Sequence, residues 1–145
     1  MSSVARTKRV RNTGPSVPGV EDILALHDKE VQRNGDPTGV INRGSLEAAV
    51  DRAAHGPFEG PGSVLERAAL LLRGICQDHP FADGNKRTSF GSALMFLARN
   101  GFSVEASTDA VRDFMLAVAR IDLDIDGILA WLSRHVEPVK PGGQQ

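Results

Sequence analysis

The stretch HPFADGNKRTSF, from His79 to Phe90, sets an imidazole, a carboxylate, a Gly-Asn pair and two adjacent cations in one short piece of chain. It lies between the two most apolar segments of the sequence. Upstream, VLERAALLLRGICQD is apolar at Val64, Leu65, Ala68, Ala69, Leu71, Leu72, Ile75 and Cys76. A face that wide does not belong to a surface helix, so this segment is expected to run through the middle of the domain. Downstream, SFGSALMFLARNGF reads as a second strongly apolar helix, closed by Asn100-Gly101 as a left-handed C-cap. The quoted stretch is then a link between two packed helices, held rigidly at both ends, which is the support a functional site needs.

Working outward, the remaining segments are also helical. Val20, Ile23, Leu24, His27 and Val31 recur at three- and four-residue intervals, with Asn34-Gly35 as the stop. His27 falls on or beside that stripe and reads as a core or boundary histidine with one satisfied nitrogen rather than a ligand. In DPTGVINRG only Val40-Ile41 suggests extended chain, and Ser45 offers an N-cap for a short helix with Leu46, Ala49, Val50 and Ala53 inward. The glycine- and proline-rich GPFEGPG, residues 56–62, must be a loop, with Phe58 expected to plug onto the core. Ser63 and Glu66 have the spacing of a capping box. Val111, Phe114, Met115, Val118 and Ile121 outline a fifth helix. Ile125, Ile128, Leu129, Leu132 and Val136, with Trp131, outline a sixth. No segment alternates with period two, so the expected class is all-α, a single-domain bundle of about six helices with the active loop between the two central ones.

Composition narrows the possibilities. At 145 residues and 41% hydrophobic content, the chain can close a core without metal or disulfide staples. The single cysteine, Cys76, sits in an apolar run and reads as a buried thiol in a reducing compartment. No apolar run approaches the ~20 residues of a membrane-spanning helix, and the N-terminus has no apolar signal segment, so no membrane association and a cytoplasmic location are expected. The net charge of −1 gives no reason to expect a nucleic-acid partner. The charge is uneven, however. Arg6, Lys8, Arg9 and Arg11 stand in an opening stretch without acids, and the other 13 basic residues face 18 acidic ones. The expected division is a flexible basic leader at 1–19, a domain at 20–137 and a frayed tail at 138–145.

The quoted link has the chemistry of a phosphate cradle. First-turn amides of a helix are unsatisfied and carry partial positive charge; Gly84 lets backbone approach an anion, and Lys86 and Arg87 add full charges beside Asn85. Asp83 among these cations has two readings. It could hold a divalent cation that bridges carboxylate and phosphate oxygens, as Mg²⁺ commonly does; or it could be an N-capping aspartate pairing with Arg87. His79 is the one group of the link that exchanges a proton near neutral pH, although a histidine at a helix C-terminus is also favoured by the dipole alone. Phe81 reads as an anchor.

These residues resemble the signature of the Fic/Doc superfamily, His-x-Phe-x-Asp/Glu-Gly/Ala-Asn-Gly/Lys, with every fixed position filled. The Lys-Arg-Thr continuation is similar to its death-on-curing branch. GVINRGSLEAAVDRA and SFGSALMFLARNGF are similar to the family's flanking segments, and the resemblance spans roughly Val20 to Gly101. It implies that His79 is the general base toward a protein hydroxyl, that Asp83 holds Mg²⁺, and that Gly84, Asn85, Lys86 and Arg87 hold the phosphates of ATP. AMP-transferring members have glycine where this chain has Lys86 and a second arginine where it has Phe90. That departure favours the arrangement in which Lys86 and Arg87 assist transfer of the γ-phosphoryl group. The implied function is a toxin kinase acting on a hydroxyl of a translation factor such as elongation factor Tu. AMP transfer, or a nonenzymatic nucleotide- or partner-binding module, are the alternatives. The family's self-inhibitory motif is absent, so restraint is expected in trans from an antitoxin anchored at exposed apolar residues such as Phe58 or Trp131.

Overall fold

The structure is a computed structural model that describes residues 16–34, 39–40, 42–56 and 63–139. Residues 1–15 of the leader, Gly35, Ile41, Phe58 with the rest of the 57–62 stretch, and the tail from residue 140 lie outside the described residues. At the end of the leader, by contrast, the Ser16 amide donates to Asn100 Oδ1 at 3.0 Å and Val17 packs partly buried against the core. Six helices are present among the described residues: α1 (Val20–Asn34), α2 (Arg43–His55), α3 (Val64–Asp78), α4 (Asn85–Arg99), α5 (Thr108–Ala119) and α6 (Ile125–His135). The all-α class holds, with one addition. Two three-residue strands, β1 (Phe102–Val104) and β2 (Val136–Pro138), pair antiparallel with Phe102 opposite Pro138 and Val104 opposite Val136. Strands this short show no periodicity, and Val136 reads as a helix end and Pro138 as tail.

α3 is the axis of the domain. Its wide apolar face, with Ala68, Ala69, Leu71, Leu72, Ile75 and Cys76 fully buried, touches α2, α4, α5 and α6. α4 packs along α3 and carries Thr88, Ser89, Ser92 and Ala93 into the contact. Ser89 donates its hydroxyl to the Leu72 carbonyl at 2.7 Å. Small side chains let the two backbones approach; Gly74 serves the same end against α2, where a Cβ would lie 2.8 Å from that of Ala49. Leu97, Phe96, Phe114, Ile128 and Leu132 complete the core. α1 lies against α4 through Ile23, His27 and Val31, the stripe expected from its spacing.

Several local expectations give way to tertiary contacts. α2 is capped by Asn42, whose Oδ1 accepts the Ser45 amide at 3.0 Å, so Ser45 lies inside the first turn. Ser63 stands at the N-cap of α3 without a side-chain capping bond; its hydroxyl accepts from Arg67 Nε instead, at 2.8 Å. Arg67 is buried, and its Nη1 donates to the carbonyls of Ala53 and Ala54 at the end of α2. A fixed cation there complements the negative helix end. Ile121 is outside α5 and 71% exposed. Trp131 is only 8% exposed, stacked on Phe114 with ring centroids 4.0 Å apart and on His135 at 4.0 Å. It is therefore a core residue and not an exposed anchor.

Candidate active site

The link between α3 and α4, residues 79–84, is held from several directions. α3 ends at His79, which has left-handed dihedrals (φ 48, ψ 61) and an exposed side chain. Histidine tolerates that region better than most residues, but it still costs on the order of 1 kcal/mol or more. Pro80 then prevents the helix from continuing. Phe81 turns inward and is 1% exposed, the anchor expected of it. Both polar groups of its backbone are taken by one side chain: Asn85 accepts the Phe81 amide at 3.1 Å and donates to its carbonyl at 2.9 Å. On the outer side the link pairs with the segment before α2. The Pro80 carbonyl accepts from the Asn42 amide at 3.0 Å, and the Ala82 amide donates to the Gly39 carbonyl at 3.2 Å, making a one-pair antiparallel bridge of Val40 with Phe81. That is the one trace of extended chain the Val40-Ile41 pair suggested.

α4 begins at Gly84, its N-cap, with φ 81. A Cβ there would meet Val31, His27 and Arg87 only at ordinary contact distances of 3.5–3.6 Å, so the backbone angle rather than crowding calls for glycine. No side chain caps this helix end, and Asp83 is one residue too early to do so; its Oδ1 accepts the Gly84 amide at 2.8 Å. Asp83, Lys86 and Arg87 are all exposed around the turn, as is His79. Arg87 Nε lies 3.8 Å from Glu30 Oε1 of α1. The turn thus presents a carboxylate, a helix N-terminus and two cations toward one region of surface, the arrangement that suits a phosphate chain carrying a divalent cation. Among the described residues no cluster of three or more acidic, histidine or cysteine ligands exists. A Mg²⁺ ion shared with phosphates does not need one, so the donor set at Asp83 fits it.

A groove of about 530 Å³ runs from this turn along the outer face of α4. Lys86, Arg87 and Glu30 line one end; Phe90, Leu94 and Met115 are among its apolar walls, and Arg112 belongs to the α5 side. Phe90 also meets Trp131 edge-on, at 6.5 Å. Cys76, behind the turn, is fully buried; burial pushes its thiol up, and the Lys86 ammonium offsets this in part. A thiol so placed is inert toward solvent reagents.

The sequence placed His79, Asp83, Gly84, Asn85, Lys86 and Arg87 on one turn, and the structure has them there. The Asn85 side chain there is bonded to the Phe81 backbone. His27 was read as a core histidine, and it is 1% exposed. Its ring stacks on Phe81, centroids 3.7 Å apart and planes 8° from parallel, and its Nε2 donates to the Asp83 carbonyl at 2.8 Å. Helical spacing gives its burial but not what it touches.

Helices packed around a buried central pair, α3 and α4, carry this turn at the head of the pair, and comparison with known sequences places the chain in a family. The family model of the Fic/DOC family matches residues 18–97, more than half of the chain. The chain belongs to the Fic/DOC family. It is 33% identical over 115 residues to the protein kinase doc of Escherichia phage P1, covering 79% of this chain and 90% of that protein. It is 35% identical over 113 residues to the toxin Doc of Mycolicibacterium smegmatis, covering 74% and 86%. No helix among the described residues is long and apolar enough to cross a membrane.

Proposed function

We propose that this chain is a Doc-type toxin that transfers the γ-phosphoryl group of ATP to a hydroxyl of a protein target. The observation that carries the reading is the turn itself: an imidazole on a left-handed residue at one end, an uncapped helix N-terminus at the other, and Lys86 where AMP-transferring relatives have glycine. In this reading His79 takes the proton of the target hydroxyl as its oxygen bonds to the γ-phosphorus and the bond to the ADP oxygen breaks. The first-turn amides of α4, with Lys86 and Arg87, bear the charge of the moving group, which is most of the catalysis a phosphoryl transferase can supply. Asp83 would hold Mg²⁺, which when bound neutralises phosphate charge. Residues 39, 40 and 42, paired along Pro80 to Ala82 next to His79 in the chain, are the edge along which a target chain carrying the hydroxyl would lie.

Elongation factor Tu is the target class expected from the family resemblance, and the cytoplasm, where ATP and the translation machinery meet, is the place of action. Restraint in trans by an antitoxin is supported by the groove on α4. Apolar walls at Phe90, Leu94 and Met115 with cations at Lys86, Arg87 and Arg112 suit an amphipathic segment with acidic flanks. That seat replaces the expected anchor at Trp131, which the core has taken.

The test is transfer of label to protein in a lysate supplied with Mg²⁺ and ATP labelled at either the α or the γ position, followed by the intact mass of the modified protein. Label from the γ position with a phosphate-sized increment is expected. Label from the α position with an AMP-sized increment would overturn the kinase reading in favour of AMP transfer. No label from either would favour a binding module.

A further inference from the structure

We propose that His27 is a positioning residue for the Asp83 carboxylate, and through it for the metal that Asp83 is read to hold; the inference rests on that reading of Asp83. The peptide unit joining Asp83 to Gly84 is bound at both ends. Its carbonyl accepts from His27 Nε2 at 2.8 Å, and its N–H donates to the Asp83 carboxylate, Oδ1, at 2.8 Å. The carboxylate therefore takes its orientation from an amide whose plane is set by an imidazole of another helix. Hydrogen bonds in series through one peptide polarise each other in the same sense. A carboxylate that binds metal is typically held in this way by a second set of groups, whose loss weakens metal binding while the ligand itself remains.

The imidazole is itself well placed to serve as a fixed reference. It is 1% exposed, lies flat on Phe81, and its Cδ2 is 3.6 Å from where a Cβ of Gly84 would stand. It thus touches Phe81 and Asp83 and faces Gly84, all from α1, which packs along α4. The other bonds to the turn treated above come from the turn's own helix or from the segment before α2. Because the Asp83 carbonyl can only accept, the proton is on Nε2. The function required is a donor at that point and a flat ring on Phe81, two properties that substitutions can separate.

His27→Phe keeps the ring and removes the donor, whereas His27→Gln keeps a donor at nearly the Nε2 position and removes the ring. ATP binding is measured by calorimetry across a Mg²⁺ titration and again in EDTA, with Asp83→Ala alongside. For His27→Phe the Mg²⁺ concentration giving half-maximal ATP binding should rise roughly 10–100-fold, the usual cost of losing an outer-shell partner. Its binding in EDTA should stay within about twofold of wild type, since binding without metal does not pass through the carboxylate. His27→Gln should recover most of the Mg²⁺ response. Should the phenylalanine variant not fold, His27→Met, flexible and without a donor, gives the same comparison with His27→Gln. An unchanged Mg²⁺ requirement in the donorless variant, or an equal loss in EDTA and in Mg²⁺, overturns the role of His27 when Asp83→Ala is Mg²⁺-specific. If Asp83→Ala itself loses binding equally in both, the reading of Asp83 fails and the role of His27 falls with it.

Discussion

Two helix-to-helix links in this chain start alike and end differently. The links at 79–84 and 120–124 each turn at a residue other than glycine with positive φ: His79, at φ 48, caps α3, and Ile121, at φ 61, follows Arg120, the right-handed cap of α5. Around Ile121, local bonds suffice. The Ile121 amide donates to the Val118 carbonyl and the Asp122 amide to that of Ala117, the pairing of a Schellman motif, and Asp124 caps α6 by accepting the Gly127 amide at 2.8 Å. Ile121 lies in solvent, and only Leu123 packs partly on the core. After His79, by contrast, Pro80 and Phe81 are buried, Asn85 takes both polar groups of Phe81, Asn42 and Gly39 bind the outer edge, and His27 reaches in from α1. Strain at a helix end is therefore not in itself a mark of function. What distinguishes the first link is that the residues following the strained one are held by side chains of α1 and α4 and by the backbone of the segment before α2.

Breaking the anchor should have the largest effect. Phe81→Ala removes a fully buried ring and the surface on which His27 lies, at a cost of about 3–5 kcal/mol in unfolding by urea. The same truncation in the other link, Leu123→Ala, should cost only about 1 kcal/mol, because that side chain is partly buried. Equal losses would erase the contrast between the two links. His79→Ala comes next and should separate function from stability. Phosphoryl transfer is expected to fall by about 10²–10⁴-fold, as for the loss of a general base, while the denaturation midpoint stays near that of wild type. More than about a third of wild-type transfer would rule out His79 as the base.

Smaller effects test the tethers and the strain. Asn85→Ala frees both backbone groups of Phe81 and should cost roughly 1–3 kcal/mol, two hydrogen bonds at the usual net value. A loss within experimental error would mean that solvent replaces the clamp. Ile121→Gly should raise stability by about 1 kcal/mol, since a β-branched residue there carries the left-handed penalty that glycine avoids. Transfer activity of this variant should match wild type, and a drop would show that the second link is functional after all. The thermal midpoint and the label-transfer assay, applied to each variant together, place every one of these outcomes.

Much of this architecture could be read from residue order. The spacing of Ile23, His27 and Val31 gave α1, the apolar breadth of residues 64–78 gave the central helix, and Asn100-Gly101 gave the stop of α4, with Gly101 at φ 88. Ends were less secure wherever two residues competed for one role. Asn42 and Ser45 both suit an N-cap, and the bond of Asn42 to the Ser45 amide decides between them. Ser63 has the right spacing to cap α3, but buried Arg67 claims its hydroxyl. Ile121 continues the helical stripe of α5, yet the helix ends before it, so the most exposed large apolar residue among the described ones was expected inside.

By itself the sequence determined the family, the number and order of the helices, and the residues that meet on the turn at His79. The motif is contiguous, and one helix end suffices to gather it. Only tertiary structure decided what holds that turn. The contacts of His27 with Phe81 and Asp83 join residues 56 positions apart in the case of the hydrogen bond, and the pairing of Val40 with Phe81 crosses two helices. The same holds for Trp131, expected as an exposed anchor, which Phe114 and His135 enclose. Periodicity reports which face of a helix is apolar, because that depends on neighbours along the chain. Which side chain from elsewhere completes a hydrogen bond or a stack depends on how the helices pack, and that is settled only when the core closes.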